Sequence, residues 1–189
     1  YEITTRLVGS EMCIRDSVGL ACTAFVFNTS EFIPIGLLTD IGADFNMSTA
    51  ETGMLISIYA WVVMTMSLPL MILASRMEMR RLMLTLIATF ALFQFMSSVS
   101  TSFYMLLAAR IGVAFAHSVF WSIVSPMAAR IVSERYRPLA LSIVCSGASI
   151  AMVFGMPVGR MIGLLLGWRM TFLTIGTVSY THLRAHETR

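Results

Sequence analysis

The sequence predicts an all-α, polytopic membrane helix bundle, and three observations carry that prediction. Crossing a bilayer takes about 20 mostly apolar residues, and runs of that kind recur at 18–38, 53–74, 82–99, 104–129 and 139–158. A sixth run opens at Trp168 and is cut short. The composition is 57% hydrophobic and 12% charged, with a mean hydropathy of +0.81, whereas soluble domains carry about 25% charged residues. The basic residues gather in two tight clusters, Arg76/Arg80/Arg81 and Arg130/Arg135/Arg137, each in a loop between apolar runs.

The first run contains FNTSEFIPIGLL. Glu31 lies more than halfway toward its far end, where an ionised carboxylate costs about 2.5–3.5 kcal/mol on insertion scales. Such a group is neutralised, paired or turned to a water-filled cavity. Glu31 is therefore a candidate for proton coupling, and equally for a hydrogen-bonded tie between spans. Asn28 precedes it by three residues, so the helical period places both on one face and makes Asn28 a cavity candidate.

In the second run, Tyr59 and Trp61 project to different faces, and Tyr59 is the choice for the cavity side, facing with Val62, Val63 and Met66. In the fourth, RIGVAFAHSVFW, the spacing of Arg110, His117 and Trp121 by seven and four aligns them on one face. Arg110 sits about one and a half turns inside the outer end, free to snorkel or to meet a carboxylate. Histidine titrates near neutrality, so His117 is a proton-coupling candidate, with inter-helix hydrogen bonding as the alternative. Trp121 is placed as a cavity ring, or as simple packing.

In the fifth run, Gly147, Gly155, Gly159 and Gly163 recur at multiples of four, a smooth strip that permits close helix contact, interrupted near its outer end by Pro157 and Arg160. Pro34, Pro69, Pro126 and Pro157 lie within apolar runs, where proline removes a hydrogen bond and kinks the helix. Pro138 opens the fifth run, where a missing N–H is harmless.

Loop charge sets the orientation, since short cytoplasmic loops are enriched in Lys and Arg. Residues 39–52 hold Asp40, Asp44 and Glu51 without a base, and 97–103 are uncharged. The intervening loops carry Arg76, Arg80 and Arg81 against Glu78, then Arg130, Arg135 and Arg137 against Glu134. The start of the first span is thus expected to be cytoplasmic, in a multi-pass plasma membrane. Arg160 and Arg169, on the outer side, break the alternation.

Several classes are excluded. A net charge of +3 without a long basic run gives no reason to expect nucleic acid. Cys13, Cys22 and Cys145 have no paired spacing, so neither a disulfide framework nor a metal site is expected. No span offers clustered metal ligands, a nucleophile elbow or paired carboxylates, so no enzyme and no cofactor is expected.

Five motifs in order resemble the N-terminal half of a major facilitator superfamily transporter. They are the acidic, proline-containing first span ending in Asp40, the arginine-rich loop after the second, and Arg110 with Gly112 in the fourth. Gly155-Met156-Pro157-Val158-Gly159 in the fifth and Gly167-Trp168-Arg169 opening the sixth complete the set. FNTSEFIPIGLL, IYAWVV, RIGVAFAHSVFWSI and GMPVGRMIG are similar to bacterial sugar efflux transporters of the arabinose-exporter type. The resemblance covers about 18–176 and implies about five and a half of the six helices of the N-terminal half. The whole family fold sets substrate between two halves near the midplane, so a further C-terminal half is expected as partner, and this chain alone is not expected to transport.

The resemblance also implies roles. The Gly155/Pro157/Gly159 element matches the antiporter signature of exporters, Arg110 the fourth-span arginine associated with proton coupling, and Arg160, Trp168 and Arg169 motif positions. Where the family's second-to-third loop reads Gly-x-x-x-Asp-Arg-x-Gly-Arg-Arg, this chain has Ser75-Arg76-Met77-Glu78-Met79-Arg80-Arg81. It lacks the aspartate and second glycine, and Glu78 is the candidate substitute in the gating salt bridge. The leading functional expectation is a proton-coupled exporter of small solutes, sugars first, in the bacterial inner membrane. A multidrug-type exporter of the same fold is the alternative, favoured by the sixteen methionines. A membrane scaffold or receptor is the second.

Residues 1–17 and 179–189 show no helical or strand period. SEMCIRDS and VSYTHLRAHET resemble translated adapter or vector sequence, so both flanks are expected to be non-native or disordered, bounding a helical domain at 18–178.

Overall fold

The computed structural model describes the backbone of residues 2–187 and the side chains of 17–184 apart from residue 131. The chain forms α1 (Glu2–Gly36), α2 (Leu38–Phe45), α3 (Thr49–Thr52), α4 (Met54–Ala74), α5 (Met79–Ser98) and α6 (Phe103–Ile131). A 3₁₀ turn (Glu134–Tyr136), α7 (Arg137–Ile150), a π turn (Ala151–Gly155), α8 (Met156–Leu166) and α9 (Trp168–Glu187) follow. No strand occurs among the described residues.

Five helical stretches are long and apolar enough to cross a membrane: Ser17–Gly36, Thr49–Ala74, Met79–Ser98, Phe103–Arg130 and Glu134–Leu166. The first four match the expected runs closely. The fifth extends past the expected end at residue 158, a correction with a clear cause. Proline at 157 cannot donate to the carbonyl four residues back, and the backbone absorbs this in a π turn, where the Met156 N–H donates to Ala151 O five residues earlier. Arg160 does not break the helix either, because its guanidinium reaches out to the Gly36 carbonyl. Pro34, Pro69 and Pro126 lie inside uninterrupted helices. Helix also continues through both flanks, from Glu2 and to Glu187, where the sequence period predicts none; a helix once nucleated adds a hydrogen bond with each further residue.

Local chemistry sets the ends. Asn46 stops α2 in the left-handed conformation (φ 53°), which Asn tolerates better than most residues. Ser48 and Glu51 form a reciprocal capping box at α3, and Ser102 accepts from the Met105 N–H at the start of α6. Gly167, at φ 90°, turns the chain between α8 and α9.

The glycine strip fixes the closest packing in the bundle. A Cβ on Gly147, Gly155 or Gly159 would overlap Ala21, Thr29 or Ile33 of α1, and one on Gly163 would overlap Leu37 just past its end. Each partner lies 126 positions earlier, so the first and fifth spans run parallel and in register. Alongside this pair, α4 packs on α6, and α5 lies against both α6 and α9. Exchanging spans one to three with four to six maps the first–fifth pairing onto the fourth–second, the relation expected of inverted repeats. At the centre, the Phe27 ring stacks between Phe90 and Phe120, with centroids 4.1 and 4.3 Å away.

Candidate functional site

A polar cluster sits where α1, α4, α5 and α6 meet. α1 contributes Ser30 and Glu31, α4 Tyr59, α5 Gln94, and α6 Arg110, His117 and Trp121. Their placement follows from helical period: Arg110, His117 and Trp121 lie on one stripe of α6, and α6 is packed by α1 and α4 on that side.

Glu31 Oε2 stands 3.2 Å from His117 Nε2, with the histidine side chain 2% exposed and the glutamate 32% exposed. Trp121 Nε1 lies 2.7 Å from the same His117 nitrogen. His117 also meets Tyr59 edge-on, with ring centroids 5.8 Å apart. Arg110 is fully buried; its guanidinium lies 4.7 Å from the Tyr59 ring centre, a cation–π geometry. Its Nη1 donates to Ser30 Oγ at 3.2 Å, which also accepts from Gln94 Nε2.

The cluster is incompletely satisfied. Tyr59 Oη, Arg110 Nε, His117 Nδ1 and Gln94 Oε1 are buried without a hydrogen-bond partner, each a group whose desolvation is costly when unpaired. A cavity of about 80 Å³, lined in part by Glu31, Tyr59 and Arg110, opens beside them. Of these four, Tyr59 and Arg110 line the cavity.

Asn28, three residues before Glu31 on α1, makes a different contact. Its Nδ2 donates to Ala148 O at 2.8 Å, tying α1 to α7. A three-residue step rotates about 300° around a helix with 3.6 residues per turn, and close packing on two sides of α1 is enough to separate the pair. Trp61 is exposed on α4 while Tyr59 is buried. Ser30 and Gln94 were not singled out from sequence; Gln94 is the sole amide among residues 82–98, a signal of the same kind as Glu31.

The motif residues lie elsewhere. Beside the loop that joins the first two spans, Arg169 Nη1 contacts Asp44 Oδ2 at 2.6 Å, and its Nε and Nη2 donate to Ser100 O at 3.2 and 2.9 Å. The Trp168 indole also donates to Asp44, at 3.3 Å, and the Arg169 guanidinium lies 4.2 Å from the Trp168 ring centre. Arg160 pairs with Asp40 at 3.7 Å. The two arginines that break the charge alternation are thus neutralised by the acidic loop between the first two spans. Between α4 and α5, Glu78 contacts Arg81 at 3.0 Å, both exposed, and Arg76 and Arg80 are exposed beside them. Gly155 and Gly159 pack on α1 as described, with Pro157 between them. No group of three or more His, Cys, Asp or Glu able to hold a metal occurs among the described residues.

Five apolar helices long enough to cross a bilayer, with an ionisable cluster buried between them, make this a polytopic membrane helix bundle. The sequence matches the Major Facilitator Superfamily over residues 20–181, and the chain belongs to that family. Among solved structures it is similar to a bacterial homologue of the human lysosomal transporter Spinster, in an inward-facing and unoccupied conformation. That likeness has a TM-score of 0.74 at 18% identity and covers 95% of this chain and 42% of that one. It is a likeness of fold, and the chain spans less than half the length of the structure it matches.

Proposed function

We propose that this chain is the N-terminal half of a proton-coupled exporter of small neutral solutes, sugars foremost, set in the bacterial inner membrane with the start of its first span cytoplasmic. One observation carries the reading: the Glu31–His117 contact of 3.2 Å lies among buried polar groups of four spans. A carboxylate–imidazole pair at membrane depth exchanges protons without a metal or cofactor. In this reading Glu31 and His117 hold the proton and the buried Arg110 supplies the fixed positive charge that makes a second charge unfavourable. Tyr59 and Trp121 line the solute side. Arg76, Glu78, Arg80 and Arg81 gate the inner face, and Asp40, Arg160, Trp168 and Arg169 fasten the outer one. The flanks at 1–17 and 179–189 stand outside the transport unit.

Expression of the full-length gene is expected to lower intracellular accumulation of a transported sugar, and Glu31→Gln to abolish that effect with the protein still in the membrane. Undiminished efflux by Glu31→Gln removes Glu31 from coupling. A second reading, export of amphipathic drugs, is favoured by a separate cavity of about 230 Å³ between α1, α8 and α9. Phe25, Ile33, Phe154, Val158 and Ile175 are among its lining residues. Competition between a labelled sugar and an amphipathic cation in vesicles separates the two.

A further inference from the structure

Two groups compete for one nitrogen of His117. Trp121 Nε1 lies 2.7 Å from His117 Nε2, and Glu31 Oε2 lies 3.2 Å from the same atom. An imidazole nitrogen donates when it carries a proton and accepts when it does not; an indole N–H only donates, and an ionised carboxylate only accepts. Both contacts therefore cannot be hydrogen bonds at once. With Nε2 bare, it accepts from Trp121, and Nδ1 carries the ring N–H. When a further proton lands on Nε2, the nitrogen donates to Glu31 and the indole loses its acceptor. His117 Nδ1 is buried without a partner.

The surroundings leave this exchange to few groups. The ionisable side chains facing His117 are Glu31 from α1 and Tyr59 from α4, with Arg110 two turns along α6 and stacked on Tyr59. From α5, residues 82–98 carry no charge, and neither do residues 138–150 of α7, where the Cys145 thiol is exposed.

We propose that Trp121 is a positioning residue: by donating to Nε2 of unprotonated His117 it occupies the one ring nitrogen that faces Glu31, so the nearby carboxylate receives no hydrogen bond from the ring and is open to hydroxyl groups of a neutral solute. Protonation turns Nε2 into a donor to Glu31 Oε2, which takes up one of the carboxylate's acceptor sites and frees the indole. This rests on the proton-handling role proposed above for Glu31 and His117.

The test is the indole N–H resonance of Trp121, in the protein reconstituted into lipid nanodiscs and identified by its loss in Trp121→Phe. Acidification across the histidine range, from about pH 8 to about pH 5, is expected to shift it from a hydrogen-bonded to a free position. In His117→Phe the resonance is expected to stay fixed. In the full-length transporter, Trp121→Phe removes the bond that favours the unprotonated ring. The pH of half-maximal efflux is then expected to rise by roughly one unit, a tenfold change in proton concentration, as one lost hydrogen bond implies. A resonance indifferent to pH, or one that shifts equally in His117→Phe, overturns the proposal. If Glu31→Gln abolishes efflux while the Trp121 resonance ignores pH, only the Trp121 role falls. If Glu31→Gln leaves efflux intact, the proton reading itself falls.

Discussion

The first span presents two unlike faces to the bundle. Toward the fifth span, Ala21, Thr29, Ile33 and Leu37 lie against four glycines with no room for a Cβ, and Asn28 closes the contact with a hydrogen bond to Ala148 O. Toward α4 and α6, Ser30 and Glu31 contact Arg110 and His117 directly, beside a small cavity and among buried atoms without partners. One face is interlocked and the other unfinished.

Substitutions at either face test that contrast, and the largest effect on stability belongs to the interlocked side. Gly147→Ala would press a methyl into the backbone of Ala21, where nothing flexible can yield, and is expected to cost about 1–3 kcal/mol. Gly176→Ala would meet the Gln94 and Phe95 side chains at ordinary distances of 3.4 Å and beyond and is expected to leave the melting temperature in detergent near that of the parent. Equal losses in the two variants would mean that the strip is not the tight contact.

A smaller loss, about 1 kcal/mol, is expected of Asn28→Ala, which removes one hydrogen bond between α1 and α7. Its pH dependence of efflux should match the parent's, since Asn28 takes no part in the polar cluster. A shifted pH profile would place Asn28 with Glu31 after all. The smallest effect is expected of Tyr59→Phe. The hydroxyl it deletes is buried without a partner, so stability should change by less than about 0.5 kcal/mol or rise slightly. A marked loss would show that the hydroxyl is satisfied, most simply by water in the adjoining cavity.

Much of the architecture was legible because the bilayer imposes a simple rule. An apolar run must be long enough to cross and its backbone must bond within itself, so length and hydropathy located the ends of four spans to within four residues. The fifth was misjudged at Pro157 and Arg160 because local rules treat proline and a membrane arginine as interruptions. The π turn and the reach of Arg160 to Gly36 O and Asp40 depend on neighbours that a local rule does not contain. In the cluster, the α6 stripe of Arg110, His117 and Trp121 was readable from spacing alone. Ser30 and Gln94 acquired meaning only once α1 and α5 were brought to Arg110.

By itself, then, the sequence determined that the chain crosses a membrane repeatedly as helices, which residues are costly to bury, and which family they resemble. Those follow from composition and period, properties of one segment at a time. Tertiary structure decided that Glu31 faces His117 while Asn28 faces Ala148, that Trp121 and Glu31 meet at one nitrogen, and that Asp40 and Asp44 neutralise Arg160 and Arg169. Each of these is a contact between different helices, fixed by how they are rotated and set against one another, which the period of any single helix leaves free.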